Sequence, residues 1–414
     1  MIYIKDRKVL RELGKTIRDI AAEPVNGERK KLWNDLNSLQ NVRPLVFIFE
    51  IPWHEMEHEN ELALLCEDPF LRGIETSMRR TIYQWRHMQG DMVVEEEIDC
   101  PLAISSSGMG IKEDVDISMT DNRSDIVSRH FKIQIKGEED LDKIKMPVVS
   151  HNEDESERRF QLMGDIFEGI LPVRKTGFKW TSVAPWDELV RFTGVDEILI
   201  DMVMRPDYVH KAIGRMTDVY LSALEQYQRS NLLSLNNDNC FLGGGLQYTD
   251  HLPKPDFEPS RVRPADMWGR TMSQIFSAVS PAMHDEFALQ YELKYLSQFG
   301  LTYYGCCEPL HRKIGILRNV PNLRKISMSP WVDAEEGAEA IGIDYVYSMK
   351  PNPAFLGMEK WDPGLARRDL EQNLRRTRNC ITEIILKDIS TVRYQPQRLW
   401  EWASIAIEAA SDCC

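Results

Sequence analysis

The sequence predicts an α/β protein, a single-domain (β/α)8 TIM barrel across 1–414, with an N-terminal helical extension and an insertion after an early strand. Three observations predict it. Short continuous apolar runs recur from end to end, as expected for parallel strands buried on both faces. Helical stretches separate most of them, the alternation of a parallel sheet covered by helices. No Gly-rich phosphate loop follows an early strand, as an open dinucleotide-binding sheet would require, and nothing in the composition marks an interdomain linker.

In chain order, residues 6–21 and 27–39 carry apolar positions at helical spacing (Val9, Leu10, Leu13, Ile17, Ile20), so 1–42 reads as a helical preface. RPLVFIFEIPW then supplies a first strand, Leu45 to Phe49, closed by Glu50. Further candidates are MVVEE (92–96), ILPVRK (170–175), LLSLN (232–236), SQIFSAVS (273–280), LTYYGCC (301–307), RKISMS (324–329), DYVYSMK (344–350) and EIILKD (383–388). That makes nine candidates for eight barrel places, one segment being extra. Helices are expected over 206–230, 281–300, 362–380 and 396–410. From about 98 to 160 the chain is polar, with SSSGMG and the acidic runs KGEEDLD and HNEDESERR. This reads as an irregular insertion over one barrel face, its charges solvated. GGG at 243–245 has neither the spacing nor the context of a phosphate loop.

Hydrophobic residues make 43% of the chain and charged residues 28%, values of a soluble, compact protein. The formal net charge of -14 argues against nonspecific nucleic-acid binding, which needs clustered Lys and Arg. No run approaches the roughly 20 apolar residues of a membrane span. The start MIYIKDRKVLRELGK lacks a signal-peptide core, so a cytoplasmic protein is expected. Eight cysteines without framework spacing read as reduced thiols, with Cys413 and Cys414 frayed at the end.

In such a barrel the active site lies at the C-terminal ends of the strands. Those positions hold Glu50, Trp53 and His54, then Tyr248, then Cys306, Cys307, Glu308 and His311 in YYGCCEPLH, then Lys350 and Asn352, and finally Lys387 and Asp388. Thiolate, carboxylate and imidazole are zinc donors, and a catalytic zinc takes about three protein ligands plus an open position. Cys307, Cys306, Glu308 and His311 are therefore the candidate metal ligands. Adjacent strand residues face opposite sides, so only one thiol enters the barrel unless the strand has already ended. The competing reading makes the cysteines small core hydrophobes, Glu308 a helix cap and His311 a surface residue. Glu50 and His54 are candidate acid and base groups or ligands. Lys350 and Lys387 each need a carboxylate partner or an anionic ligand, and Asp388 is available to either. Trp53 and Tyr248 belong to an aromatic set that walls a cavity for a flat ligand or serves the core.

The stretch SQIFSAVSPAMHDEFALQYELKYLSQFGLTYYGCCE resembles the uroporphyrinogen decarboxylase superfamily, which includes corrinoid-dependent methyltransferases acting on coenzyme M. RKISMSPW, YVYSMKPNPAFL and EIILKD resemble its last three strand and helix units, and RPLVFIFEIPW is placed like its first barrel strand. The resemblance implies a (β/α)8 barrel, often dimeric. The methyltransferase branch holds zinc through a His-x-Cys pair and a later cysteine. Here Cys306 or Cys307 matches the first cysteine, Tyr304 or Gly305 stands at the histidine position, and Lys387 and Asp388 stand where the later cysteine is expected. A zinc site would be rebuilt with Glu308 or His311. The decarboxylases' paired arginines and Phe-Ser-Asp aspartate are absent, FEIPWHEM standing there instead.

The resulting expectation is a methyltransferase moving a methyl group between a small substrate and a corrinoid carried by a partner protein, assisted by zinc. Glu50, His54 and Asp388 would do the acid and base work, while Lys350 and Lys387, with Trp53, Tyr248 and Asn352, would hold the substrate. The alternatives are a metal-independent decarboxylase or lyase of a small carboxylated substrate, and a noncatalytic ligand-binding barrel.

Overall fold

The computed structural model describes residues 2–119 and 127–412, so Cys413 and Cys414 lie outside the described residues. Its strands are β1 (Leu45–Ile48), β2 (Ile98–Pro101), β3 (Ile104–Ser106), β4 (Val115–Ser118), β5 (Ser128–Phe131), β6 (Val149–His151), β7 (Val173–Thr176), β8 (Ser182–Val183), β9 (Trp268–Thr271), β10 (Leu301–Tyr304), β11 (Leu323–Met328), β12 (Val346–Met349) and β13 (Ile381–Leu386).

Parallel ladders join seven of these in the order β1-β13-β12-β11-β10-β9-β8, which places the first strand against the last. The fold is thus α/β with a mostly parallel central sheet. Eight laddered strands were expected; among the described residues no ladder joins the edge strands β1 and β8. The run at 92–96 shows why. It lies beside β1, with the Asp91 N–H donating to the Val46 carbonyl at 2.7 Å. Its own backbone is satisfied by side chains of the helix Pro24–Asn37: Arg29 donates to the Met92 carbonyl and Asn26 Oδ1 accepts from the Val94 N–H. Side chains have taken the places of ladder partners.

Three other segments differ from expectation, the first being LLSLN (232–236), where Leu233 makes an isolated bridge to Phe178 and no strand forms. SQIFSAVS is a short 3-10 helix, Gln274–Ala278, and the strand lies earlier at β9, where WGRT carries no continuous apolar run. The segment 98–160 is less irregular than its composition suggests: β3 pairs with β6 and β4 with β5, both antiparallel, while β2 pairs with β7 in parallel. The helical preface is present as Ile2–Ala21 and Pro24–Asn37. No described helix is long and apolar enough to cross a membrane.

Side-chain alternation divides the sheet into two faces. Val46, Ile48, Ile326, Met328, Tyr347, Met349, Ile384 and Leu386 pack under the helices Pro363–Arg376 and Gln397–Ser411. Leu45, Phe47 and Ile385 pack with Trp33 of the preface on the other face. That second face also buries charge. Lys325 Nζ meets Glu383 Oε2 at 2.7 Å, both side chains 2% exposed or less, and lies between the rings of Trp33 and Trp268. The Ser348 hydroxyl donates to the other Glu383 oxygen at 2.6 Å.

The triglycine 243–245 seals this interior. A Cβ at Gly243 would lie 1.9 Å from the Arg270 guanidinium, at Gly244 2.7 Å from Glu383, and at Gly245 2.2 Å from the Trp33 ring. Any side chain there would have to displace the buried charges, so glycine is needed for close approach of the backbone rather than for phosphate.

Candidate functional site

Three strands of the sheet end in left-handed backbone: Glu50 (φ 52°) beyond β1, Gly305 (φ 93°) beyond β10 and Asp388 (φ 55°) beyond β13. A non-glycine residue at such an angle is costly, and two at one end of a sheet mark a constrained site. The turns aim their neighbours at one point. Lys387 Nζ lies 3.0 Å from Cys306 Sγ, 3.2 Å from Asp388 Oδ2 and 3.5 Å from Glu50 Oε2. Cys307 Sγ is 3.1 Å from Asp388 Oδ2 and 3.6 Å from Cys306 Sγ. The Asp388 N–H donates to Glu50 Oε2 at 3.1 Å. Because Gly305 has already ended the strand, both thiols reach the same cluster, where strand alternation would have split them.

The electrostatics follow from this packing. The Cys306 thiol is held down to about 4, first by the hydrogen bond from Cys307 and then, against burial, by the charges of Arg270 and Lys387. These contacts favour the thiolate of Cys306. The same bond pushes the Cys307 thiol well up. Burial works against the Lys387 ammonium, but the charges of Cys306, Asp388, Cys307 and Glu50 hold it above its usual range. Glu50 is pushed up to about 7, by burial first and then by its hydrogen bond with Asp388. Burial would raise Asp388 as well, yet the bond from Glu50 and the charge of Lys387 keep it low. The two carboxyls titrate as a pair, Glu50 being raised and Asp388 lowered.

Arg270 on β9 is the member that sequence reasoning missed. Its guanidinium, 4% exposed, donates to the Gly305 carbonyl at 3.0 and 2.8 Å and lies 5.0 Å from the Tyr303 ring centre. The available signal was an arginine inside WGRT, a strand too polar to be recognised as one.

A second polar layer stands behind β10. Glu308 accepts from the N–H groups of Cys306 (2.8 Å) and Ser273 (3.3 Å). The Ser273 hydroxyl and the Tyr304 phenol donate to Glu292, Tyr304 also meets His284 Nε2 at 2.6 Å, and His284 Nδ1 lies 3.0 Å from Lys313 Nζ. Burial, with the charge of Lys313, depresses His284 to about 3, so its imidazole is neutral. Burial raises both Glu292 and Glu308 to about 7.

A pH test of this layer follows. Between roughly pH 4.5 and 7 the folded chain keeps the Glu292 proton that the unfolded chain releases, so this group's contribution to stability is full below that window and is lost as pH rises through it. Glu292→Gln is expected to remove that loss. Relative to wild type, the variant should gain stability from pH 5 to 7 on the order of 1 kcal/mol per unit. Urea unfolding at several pH values checks it; parallel curves would show that Glu292 titrates normally.

The other sequence candidates lie apart from the cluster. Lys350 is buried on the inner face, donating to the Ser348 hydroxyl (2.6 Å) and the Tyr303 hydroxyl (2.9 Å). Asn352 caps the short helix Pro353–Gly357 by accepting from the Ala354 N–H. Trp53 packs edge-on against Tyr83 with Arg80 over its ring, and His54 lies 3.7 Å from Glu55 and edge-on to Tyr394. The Tyr248 hydroxyl bonds to Glu95, which also pairs with Lys30.

The expected metal set does not assemble. Both oxygens of Glu308 are turned onto backbone N–H groups, and His311 faces Glu336 at 3.7 Å, which leaves the two thiols alone. Among the described residues no three His, Cys, Asp or Glu side chains are grouped to hold a metal ion. The donors that do converge, Cys306, Asp388 and Glu50, already surround the Lys387 ammonium. As arranged, these residues do not fit zinc, because an ammonium occupies the place a metal would take.

No protein-family model matches the chain, and no curated protein sequence does. Among solved structures it is similar to a methyltransferase from Methanosarcina mazei, at 9% identity and a TM-score of 0.50, covering 93% of this chain and 98% of that one. At that identity the likeness is one of fold.

Proposed function

We propose that this protein is a methyltransferase working from the cluster at the ends of β1, β10 and β13, exchanging a methyl group between a small substrate and a corrinoid carried by a separate protein. The observation that carries the reading is the convergence of Glu50, Asp388, Lys387 and Cys306 at strand ends, where barrels of this class place their chemistry. A (β/α)8 barrel closed beside β1 is part of the proposal. The fold likeness to a methyltransferase agrees with it. The corrinoid would supply the cobalt that takes or gives the methyl group.

The chain's own residues manage charge and protons. When a methyl group leaves a heteroatom, that atom is left with an electron pair and needs a proton. Glu50, pushed up to about 7 and so partly protonated at neutral pH, is the donor, and the neighbouring Asp388 carboxyl disfavours its ionisation. Lys387 and Arg270 stabilise the negative charge that develops, doing with fixed cations what a metal ion would otherwise do.

The test combines the full chain with cob(I)alamin and a panel of methylated small molecules, following methyl-cobalt absorbance. Demethylation is expected to fall as pH rises through about 7, because Glu50 must be protonated. Glu50→Gln should lose about 100-fold or more. Unchanged rates in Glu50→Gln, or a rate rising through that pH, would sink the mechanism. A second reading, a metal-free decarboxylase, is favoured by the same protonated Glu50 beside two cations, which could hold a carboxylate and then protonate the carbanion. Carbon dioxide release without any corrinoid would identify it, and binding without turnover would identify a ligand-binding barrel.

A further inference from the structure

We propose that Cys306 and Cys307 are a modification site: a vicinal dithiol that a small hydroperoxide converts reversibly into a disulfide, switching the cluster off. The two sulfur atoms lie 3.6 Å apart, with Gly305 turning the chain so that both point the same way. Their surroundings differ in the sense the chemistry needs. Cys306 Sγ faces the Lys387 ammonium at 3.0 Å, which favours its thiolate, while Cys307 Sγ faces the Asp388 carboxylate at 3.1 Å, which favours its thiol. Cys307 and Asp388 are on the accessible side of the cluster, Asp388 with half its side chain exposed, whereas Cys306 is only 5% exposed.

The chemistry balances in two steps. The Cys306 thiolate attacks one oxygen of the hydroperoxide; the S–O bond forms, the O–O bond breaks, sulfur is oxidised by two electrons, and the departing alkoxide takes a proton to leave as alcohol. The Cys307 sulfur then attacks the sulfenic acid. The S–S bond forms, and the hydroxyl group leaves with the Cys307 proton as water, Asp388 being placed to carry that proton. A dithiol reductant returns the two electrons.

The ring is strained. Neighbouring Cα atoms stand about 3.8 Å apart, whereas disulfides usually span roughly 4.4–6.8 Å. A strained disulfide is easily reduced, as a reversible switch requires. Oxidation also removes the sulfur anion facing Lys387, so the site loses the charge arrangement on which its activity rests. The dithiol–disulfide change is observed by mass without substrate and stands apart from the methyl-transfer reading, whereas its effect on activity rests on that reading.

The experiment treats the full-length protein with low hydrogen peroxide and measures intact mass, followed by peptide mapping. Wild type should lose two hydrogens, within the peptide carrying both cysteines, and regain them with dithiothreitol. Cys307→Ser should instead accumulate a Cys306 sulfenic acid trapped by dimedone, and Cys306→Ser should give neither product. If Cys306→Ser fails to fold, Lys387→Met serves in its place, with disulfide formation at pH 5 slowed at least about fivefold. The proposal is overturned if wild-type Cys306 passes to sulfinic acid without losing two hydrogens, if Cys306 pairs with another cysteine, or if Lys387→Met oxidises at pH 5 as fast as wild type.

Discussion

Replacing Lys387 with methionine is expected to raise the pH midpoint of Cys306 alkylation by about 2 units. In the wild type the Cys306 thiol is held down to about 4, and the ammonium 3.0 Å away is one of the two cations that hold it there. Methionine keeps the length and apolar stem of lysine but removes the charge. Burial, which opposes the thiolate, would then be offset only by Arg270 and by the hydrogen bond from Cys307. The measurement is iodoacetamide labelling across pH, with the two cysteines resolved by peptide mass, and Lys387→Arg as the variant that keeps the charge. A midpoint unmoved in Lys387→Met would mean that Arg270 and Cys307 suffice, and that the ammonium is no substitute for a metal.

The largest stability effect is expected at Lys325, whose change to methionine should cost about 3–5 kcal/mol. The lysine is buried with Glu383 in the interior sealed by Trp33, Trp268 and the triglycine. Removing one partner leaves a buried carboxylate supported only by the Ser348 hydrogen bond and the more distant charge of Lys350. Lys325→Met with Glu383→Leu should recover most of the loss, since a buried pair is often replaceable by apolar residues of similar volume although neither half can be removed alone. Denaturant unfolding of the two single variants and the double variant measures this. A single variant costing less than about 1 kcal/mol would show that water enters the interior.

Both experiments probe features that the sequence revealed unequally. The strands at β1, β10, β11, β12 and β13 were legible as short, mostly apolar stretches set between helices, even though β11 and β13 carry Lys325 and Glu383. β9 was not, because its Gly269 admits the Phe299 ring and its Arg270 is neutralised by groups distant in sequence. MVVEE looked like a strand and lies beside one, but whether its backbone bonds to a strand or to Asn26 and Arg29 is a tertiary fact. In the site, position was legible and orientation was not. Strand-end logic selected Glu50, Cys306, Cys307, Lys387 and Asp388, which do converge. It selected Glu308, His311, Lys350 and Asn352 equally, and these turn to a backbone N–H, a surface carboxylate, internal hydroxyls and a helix cap. Composition cannot separate the two groups, because the decision is made by left-handed turns at Glu50, Gly305 and Asp388.

The pairing of β1 with β13 has a consequence for how this chain is made. Residues 45–48 find their ladder partner only at 383–386. On the ribosome, where roughly 5–20 residues emerge each second, the LVFIF stretch must wait for nearly the whole chain before its backbone is paired. For that interval it is an exposed apolar edge of the kind that recruits other strands. Newly made copies should therefore be most vulnerable to aggregation until residues 383–386 have emerged, and a circular permutant that places 381–412 ahead of β1 should shorten that interval and raise the soluble yield.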